Sequence, residues 1–267
     1  MKSFWYMTPF LCSISCGGTS APEELFMGHS FFKPFAQNME DLQESQGYNP
    51  RSSELVFSGG QNGAPQALWE DDRNRRTIQG LLDGGNVELF AMTYEGTYPS
   101  EEGYHNWIGY ALQRNPDVQF VLALPWLDYP ESEDYVDAKS YADTWHSAHD
   151  TDWLDLVNSL RNAYPNNEFI SLPYGQSAVE LRNLFEADSL PDIDALTSDT
   201  DDASSENDRG IFVDAKGHAD QILVDLGTLV WGEVLYGIEA SNDLIDPSYQ
   251  TDLAAIATAI VDEHKED

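Results

Sequence analysis

A serine hydroxyl becomes a nucleophile when a neighbouring base takes its proton, and that base is most often a histidine oriented by a carboxylate. The chain carries residues of these three types at places that suit the task. Ser30 closes "ELFMGHS", where a short apolar run stops at Gly28-His29-Ser30 and a helical pattern begins almost at once. Near the other end, "GIFVDAKGHADQILVDLG" delivers Asp214 from the apolar run Ile211-Phe212-Val213 and follows it four positions later with His218. The order is therefore Ser30, Asp214, His218. His29 is the nearest histidine in sequence, but neighbouring residues leave a strand end in different directions, so His218 is the better base. A plainer reading stands beside this one: Ser30 caps a helix, and Gly217-His218 begins another.

The elements that would have to position these residues can be read from hydrophobic periodicity. Strands are predicted at 24–28, 54–58, 87–93, 118–125 and 168–172. Helices are predicted at 33–46, 65–83, 101–114, 134–163, 175–187, 217–236 and 247–263. Strands alternating with helices imply a parallel sheet covered on both faces. The fold class is thus α/β, a three-layer α/β/α sandwich with a flavodoxin-like five-stranded parallel sheet. Ligands in such sheets bind beyond the carboxyl ends of the strands, where Ser30 lies. The acidic segment 191–210 reads as a surface loop. Its aspartates match no calcium-loop spacing. His146 and His149 stand three apart on a presumed surface helix, with no third metal ligand identifiable, and His264 falls in a charged, exposed tail.

Taken together, these blocks make the chain resemble the SGNH (GDSL-like) hydrolase superfamily of serine esterases and lipases, over residues 24 to about 240. Gly28-His29-Ser30 is similar to the family's first block, Gly-Asn-Ser or Gly-Asp-Ser. "IFVDAKGHA" is similar to the last, with one residue more than the usual Asp-x-x-His. The resemblance implies Ser30 as nucleophile, His218 as base and Asp214 as the orienting acid. It also implies an oxyanion site formed by the backbone N–H of Ser30 and of Gly59 or Gly60 in "FSGGQNGAP". The family's Gly-x-Asn-Asp block, whose Asn gives a further donor, has no match after the third strand; Thr93, Tyr94 or His105-Asn106 would have to substitute. No metal or organic cofactor is implied. The substrate expected is a carboxylic ester, such as an O-acetylated or short-chain acylated saccharide on which Tyr94, Trp126 and Tyr174 could stack. A non-catalytic binding or scaffold protein of the cell envelope is the alternative. An α/β-hydrolase is excluded, since Phe32 stands where Gly-x-Ser-x-Gly needs its last glycine.

Charge bounds the partners. Lys and Arg number 13 against 47 acidic residues, a net charge of −34. Such a surface repels nucleic acid and anionic membranes, and acid scattered along the whole length reads as the hydrated surface of a salt-adapted protein, with an acidic face for a cationic partner as the competitor. Residues 1–22 read as a leader and tether: Lys2, then "SFWYMTPFLCSIS", too short to span a bilayer, then Cys16-Gly-Gly-Thr-Ser. Cys16 could carry a lipid anchor, or the leader could be cleaved near Ser15. Both cysteines lie in this segment, so residues 23–267, read as a single domain, hold no disulfide. The expected location is outside the cytoplasm of a bacterium. Oligomeric state is not legible.

Overall fold

The computed structural model of the chain describes residues 22–198 and 209–265. The proposed leader with Cys12 and Cys16, and residues 199–208 of the acidic segment, lie outside the described residues.

Five parallel strands form the central sheet. In chain order the elements are β1 (Glu24–Gly28), α1 (Lys33–Ser45), β2 (Ser53–Phe57), α2 (Pro65–Glu70), α3 (Asp72–Leu82), β3 (Leu89–Thr93), α4 (Glu101–Leu112), β4 (Gln119–Ala123), α5 (Ala138–Ala148), α6 (Leu154–Ala163), β5 (Phe169–Leu172), α7 (Gln176–Glu186), β6 (Ala195–Thr197), β7 (Gly210–Phe212), α8 (Gln221–Tyr236) and α9 (Leu253–Glu263). The sheet order is β2-β1-β3-β4-β5, the flavodoxin-like order. β1 pairs with β2 and β3 in register, Phe26 opposite Leu55 and Ala91. Every residue of β1 is buried, as expected where helices cover both faces of a parallel sheet. Phe26 packs into the layer built by α1, α7, α8 and α9. Leu25 and Met27 point the other way, into the layer of α2 to α6.

The five strands and the three layers agree with the sequence reading, and several helix limits do not. The helix expected over 65–83 breaks at Asp71, whose extended backbone (ψ 112°) ends α2 and whose side chain accepts the N–H groups of Arg73 and Asn74 to cap α3. The helix expected over 134–163 starts only at Ala138, behind a capping box formed by Asp137 and Ser140. It is interrupted by one wide π turn, His149–Trp153. That turn buries His149 and Trp153, so His149 is not a surface residue. His264 is not a free tail residue either: its ring lies 4.6 Å from that of His149. α8 begins at Gln221 rather than 217, capped by Asp220, and α9 at Leu253 rather than 247, capped by Asp252. β6, inside the expected loop 191–210, pairs in parallel with β7, which starts at the loop's last residue, to form a small second sheet.

Among the described residues, Glu24, Asp192 and Asp225 are the buried acids and the other acidic side chains reach solvent. No described helix is long and apolar enough to cross a membrane.

Candidate active site

The site follows from the strand order. β1 and β3 are neighbours, yet β1 leads into α1 on one face of the sheet and β3 leads into α4 on the other. Connections that diverge in this way open a crevice at the carboxyl edge. Ser30 sits at its mouth.

Gly28 ends β1. A Cβ built there would come within 2.8 Å of the Phe32 ring, so the close approach of that ring selects the glycine. The chain then turns, with the Phe32 and Lys33 N–H groups both donating to the His29 carbonyl at 3.1 Å. α1 starts at Lys33 and its cap position is Phe32, with no side-chain cap. Ser30 is therefore not the helix cap that the plainer reading made it. Its hydroxyl donates instead to His218 Nε2 at 2.9 Å, across 188 positions of sequence.

The tautomer follows from the other side of the ring. His218 Nδ1 lies 2.6 Å from Asp214 Oδ2. An ionised carboxylate only accepts, so Nδ1 carries the proton and Nε2 presents its lone pair to the Ser30 hydroxyl. Partial burial pushes the Asp214 carboxyl up, but bonds from the His218 side chain, the His218 N–H and the Gly217 N–H outweigh it and hold the group below the ordinary carboxylate value. Those two backbone donors reach Oδ1 at 3.1 and 3.0 Å.

Three residues separate Asp214 from His218, and Gly217 closes the turn between them. Its φ is +94°, in the left-handed region, and its N–H donates to the Asp214 carbonyl at 2.9 Å. The loop after β4 fastens this turn from outside. The Trp126 indole N–H donates to the Gly217 carbonyl at 2.8 Å, and the Tyr129 N–H donates to the Lys216 carbonyl at 2.9 Å. The Trp126 ring stacks on Phe31 at 4.7 Å and 10°, and Phe31 sets its ring edge-on to His218 at 5.3 Å between centroids. One buried indole thus ties the turn bearing Ser30 to the turn bearing His218. Trp126→Phe keeps a ring and removes the donor. Stability should fall by about 1–3 kcal/mol, because a buried carbonyl loses its partner. The Ser30-dependent rate of any ester cleavage should fall about tenfold, mostly in kcat, since a misplaced base costs rate more than binding. Thermal melts and steady-state kinetics together check both.

His29 is buried among groups that fix it. Its Nδ1 accepts the Phe31 N–H at 3.2 Å, which leaves the proton on Nε2 to donate to the Tyr94 carbonyl at 3.1 Å. Burial lowers its pKa below the ordinary histidine value. It is a neutral strut for the turn, and both its ring nitrogens are engaged by groups other than the Ser30 hydroxyl.

The cleft beside Ser30 has a volume of about 210 Å3 and is lined in part by Phe31, Tyr94, Glu95, Trp126, Asp128 and Lys216. Gly60 lines it and Gly59 does not. Neither the Ser30 nor the Gly60 N–H has a hydrogen-bond partner among the described residues. Of the aromatics proposed for sugar stacking, Tyr94 and Trp126 line the cleft, while Tyr174 is buried in the core among Phe35, Trp126 and Trp231. Two of the candidate substitutes for the absent Asn are otherwise engaged. Thr93 is buried and bonds inward to His29 and the Tyr94 carbonyl. His105 bonds to the Tyr164 hydroxyl, and neither it nor Asn106 lines the cleft. Among the described residues no three metal-ligating side chains gather. Phe31 and Lys216 were not singled out from sequence, and Trp126 was named only as an aromatic for sugar stacking, not as the tie between the two turns. For Lys216 the one available signal was its place between Asp214 and His218.

No protein-family model matches the chain, and no curated protein matches it. Among solved structures, the periplasmic domain of a lipopolysaccharide acetyltransferase from Salmonella ser. Paratyphi A is similar to it, with a TM-score of 0.41 and 13% sequence identity, covering 60% of this chain and 69% of that one.

Proposed function

We propose that the protein is a serine hydrolase of SGNH type that cleaves carboxylic esters through an acyl-enzyme. The observation that carries this reading is the unbroken relay from Ser30 Oγ to His218 Nε2 and from His218 Nδ1 to Asp214, opening into a cleft at the carboxyl edge of β1. In this mechanism His218 takes the Ser30 proton as the oxygen attacks the ester carbonyl. Asp214 holds the imidazole in the right tautomer and stabilises it once charged. The negative oxygen of the tetrahedral intermediate is met by the Ser30 and Gly60 N–H groups. Collapse expels the alcohol, which takes its proton from His218, and water then releases the acid by the same steps in reverse roles.

The small cleft suits a short acyl group, and Tyr94 and Trp126 offer faces to a saccharide alcohol. Export, a lipid anchor at Cys16 and an acidic surface adapted to salt belong to this reading as well. The reading of a non-catalytic envelope protein draws on two features of the sequence, the lack of an Asn at the end of β3 and the extra residue between Asp214 and His218.

Labelling with an uncharged fluorophosphonate distinguishes the two. The expected result is one adduct, mapped by mass spectrometry to Ser30, with Ser30→Ala unlabelled. Folded protein that takes no label at Ser30 overturns the hydrolase reading. With p-nitrophenyl acetate, butyrate and octanoate as substrates, the acetate and butyrate should be turned over faster.

A further inference from the structure

The cleft contains a cation with no assigned purpose. Lys216 lies in the same tight turn as Asp214 and His218, and its main chain is pinned there by the Tyr129 N–H. Its side chain lines the cleft with Ser30, Phe31 and Gly60. The ammonium is 6.0 Å from the centre of the Phe31 ring. It is also 3.2 Å from the point a Cβ on Gly60 would occupy, so it sits against a glycine that lines the cleft and whose N–H has no partner among the described residues. Lys216 makes no ion pair among the described residues, although Glu95 and Asp128 line the same cleft. A lysine in a chain of net charge −34 has many carboxylates to choose from. This one instead lines the cleft that Ser30 also lines.

We propose that the Lys216 ammonium is the third donor of the oxyanion site, doing with a full positive charge what a neutral side-chain amide from the end of β3 would otherwise do. The proposal rests on the hydrolase reading above. Three features favour it. The β3 end offers no amide, and Thr93 there is committed to His29 and the Tyr94 carbonyl, which leaves Tyr94 as the neutral competitor in the cleft. An ammonium offers three rotatable donors on a flexible stem, so it can follow an oxygen as that oxygen moves out of the carbonyl plane. A charge in a partly desolvated cleft also acts most strongly where charge develops, and a neutral ester has none until the transition state.

The last point gives the test. With p-nitrophenyl acetate, which is uncharged, Lys216→Met keeps the stem and removes the charge. The expected result is a fall in kcat of about 10²-fold with KM changed less than about threefold. Lys216→Arg should retain at least about ten times the kcat of the Met variant, because it restores a cationic donor. Phosphonylation of Ser30 should slow in the same order, since that reaction builds a similar negative oxygen. Circular dichroism and melting of the Met variant should match the wild type. A Met variant with kcat within about threefold of the wild type overturns the proposal. So does a loss that lies wholly in KM, which would make Lys216 a ground-state binder. If the wild type shows no Ser30-dependent hydrolysis at all, the hydrolase reading fails and the proposal with it, an outcome distinct from an active enzyme indifferent to Lys216.

Discussion

On the proposed serine-hydrolase mechanism, Ser30→Ala is expected to lower kcat for ester hydrolysis by about 10⁴-fold or more, and His218→Ala to do the same. The two groups act in one proton transfer, so the double variant should be no worse than either single one. Neither change should unfold the protein. Ser30 and His218 are partly exposed, and their mutual bond is a single surface-edge contact. Asp214→Asn is the informative third member. The Gly217 and His218 N–H groups already donate to Oδ1, so an amide at 214 would keep its oxygen there and turn its NH2 toward His218 Nδ1. That forces the proton onto Nε2, where it blocks uptake of the Ser30 proton. The loss should be on the order of 10³–10⁴-fold with folding intact. Single-turnover release of p-nitrophenol measures all four variants. Activity within a few fold of the wild type in Ser30→Ala or His218→Ala overturns the assignment of the site.

The parts of this site that could be read in advance were those fixed by local sequence. Glu24 to Gly28 is a short apolar run stopped by a glycine, and its shortness and that flanking glycine favour a buried parallel strand over a helix segment. The other four strands are also short apolar runs, ended by Ser-Gly-Gly after β2, Tyr-Glu-Gly after β3, Leu-Pro after β4 and Pro after β5, and the parallel sheet followed from their alternation with helices. Position then ranked Ser30 without any structure. That Ser30 would meet His218 rather than His29 was also legible, because it needed only the rule that adjacent side chains diverge.

What escaped was decided by one residue at a time or by chain segments far apart. The face Trp145, His149 and Trp153 runs at intervals of four, so it reads as one uninterrupted helix, and a single wide turn inside it leaves no mark in the period. Asp71 breaks a helix by capping the next one, and an aspartate on an otherwise polar face looks the same whether it caps or not. β6 and β7 are three residues each and lie at the ends of an acidic stretch, too short to show alternation. Between Gly59 and Gly60 the composition is symmetric, and only the place where the short 3-10 turn 60–63 begins separates them. The Trp126 bond to Gly217 spans 91 positions, and no local rule reports on such a contact.

A second large effect is expected at the opposite end of the sheet, where Glu24 begins β1. Its side chain is fully buried, and burial raises its pKa from 4.5 to about 7, against the opposing influence of the Tyr236 hydroxyl bond and of Arg51. The Tyr236 hydroxyl donates to one oxygen at 2.8 Å. The other has no hydrogen-bond partner, and Arg51 stays 3.9 Å away. An acid whose folded pKa is raised keeps its proton in the folded chain while the unfolded chain gives it up. Its contribution to stability is therefore intact below pH 4.5 and declines as pH rises to about 7, beyond which the loss is complete. A shift of this size corresponds to about 3 kcal/mol. Glu24→Gln keeps an acceptor for Tyr236 and cannot ionise, so it should match the wild type near pH 4.5 and exceed it by about 2–3 kcal/mol at pH 7.5. Because 47 acidic residues give the whole molecule its own pH dependence, the quantity to measure is the difference between variant and wild type in denaturant unfolding across this window. Hydrolysis at the far edge should be unchanged. A Gln variant less stable than the wild type at pH 7.5 would mean that the Arg51 pair keeps Glu24 ionised in the folded chain, and the proposed source of the pH dependence would be wrong.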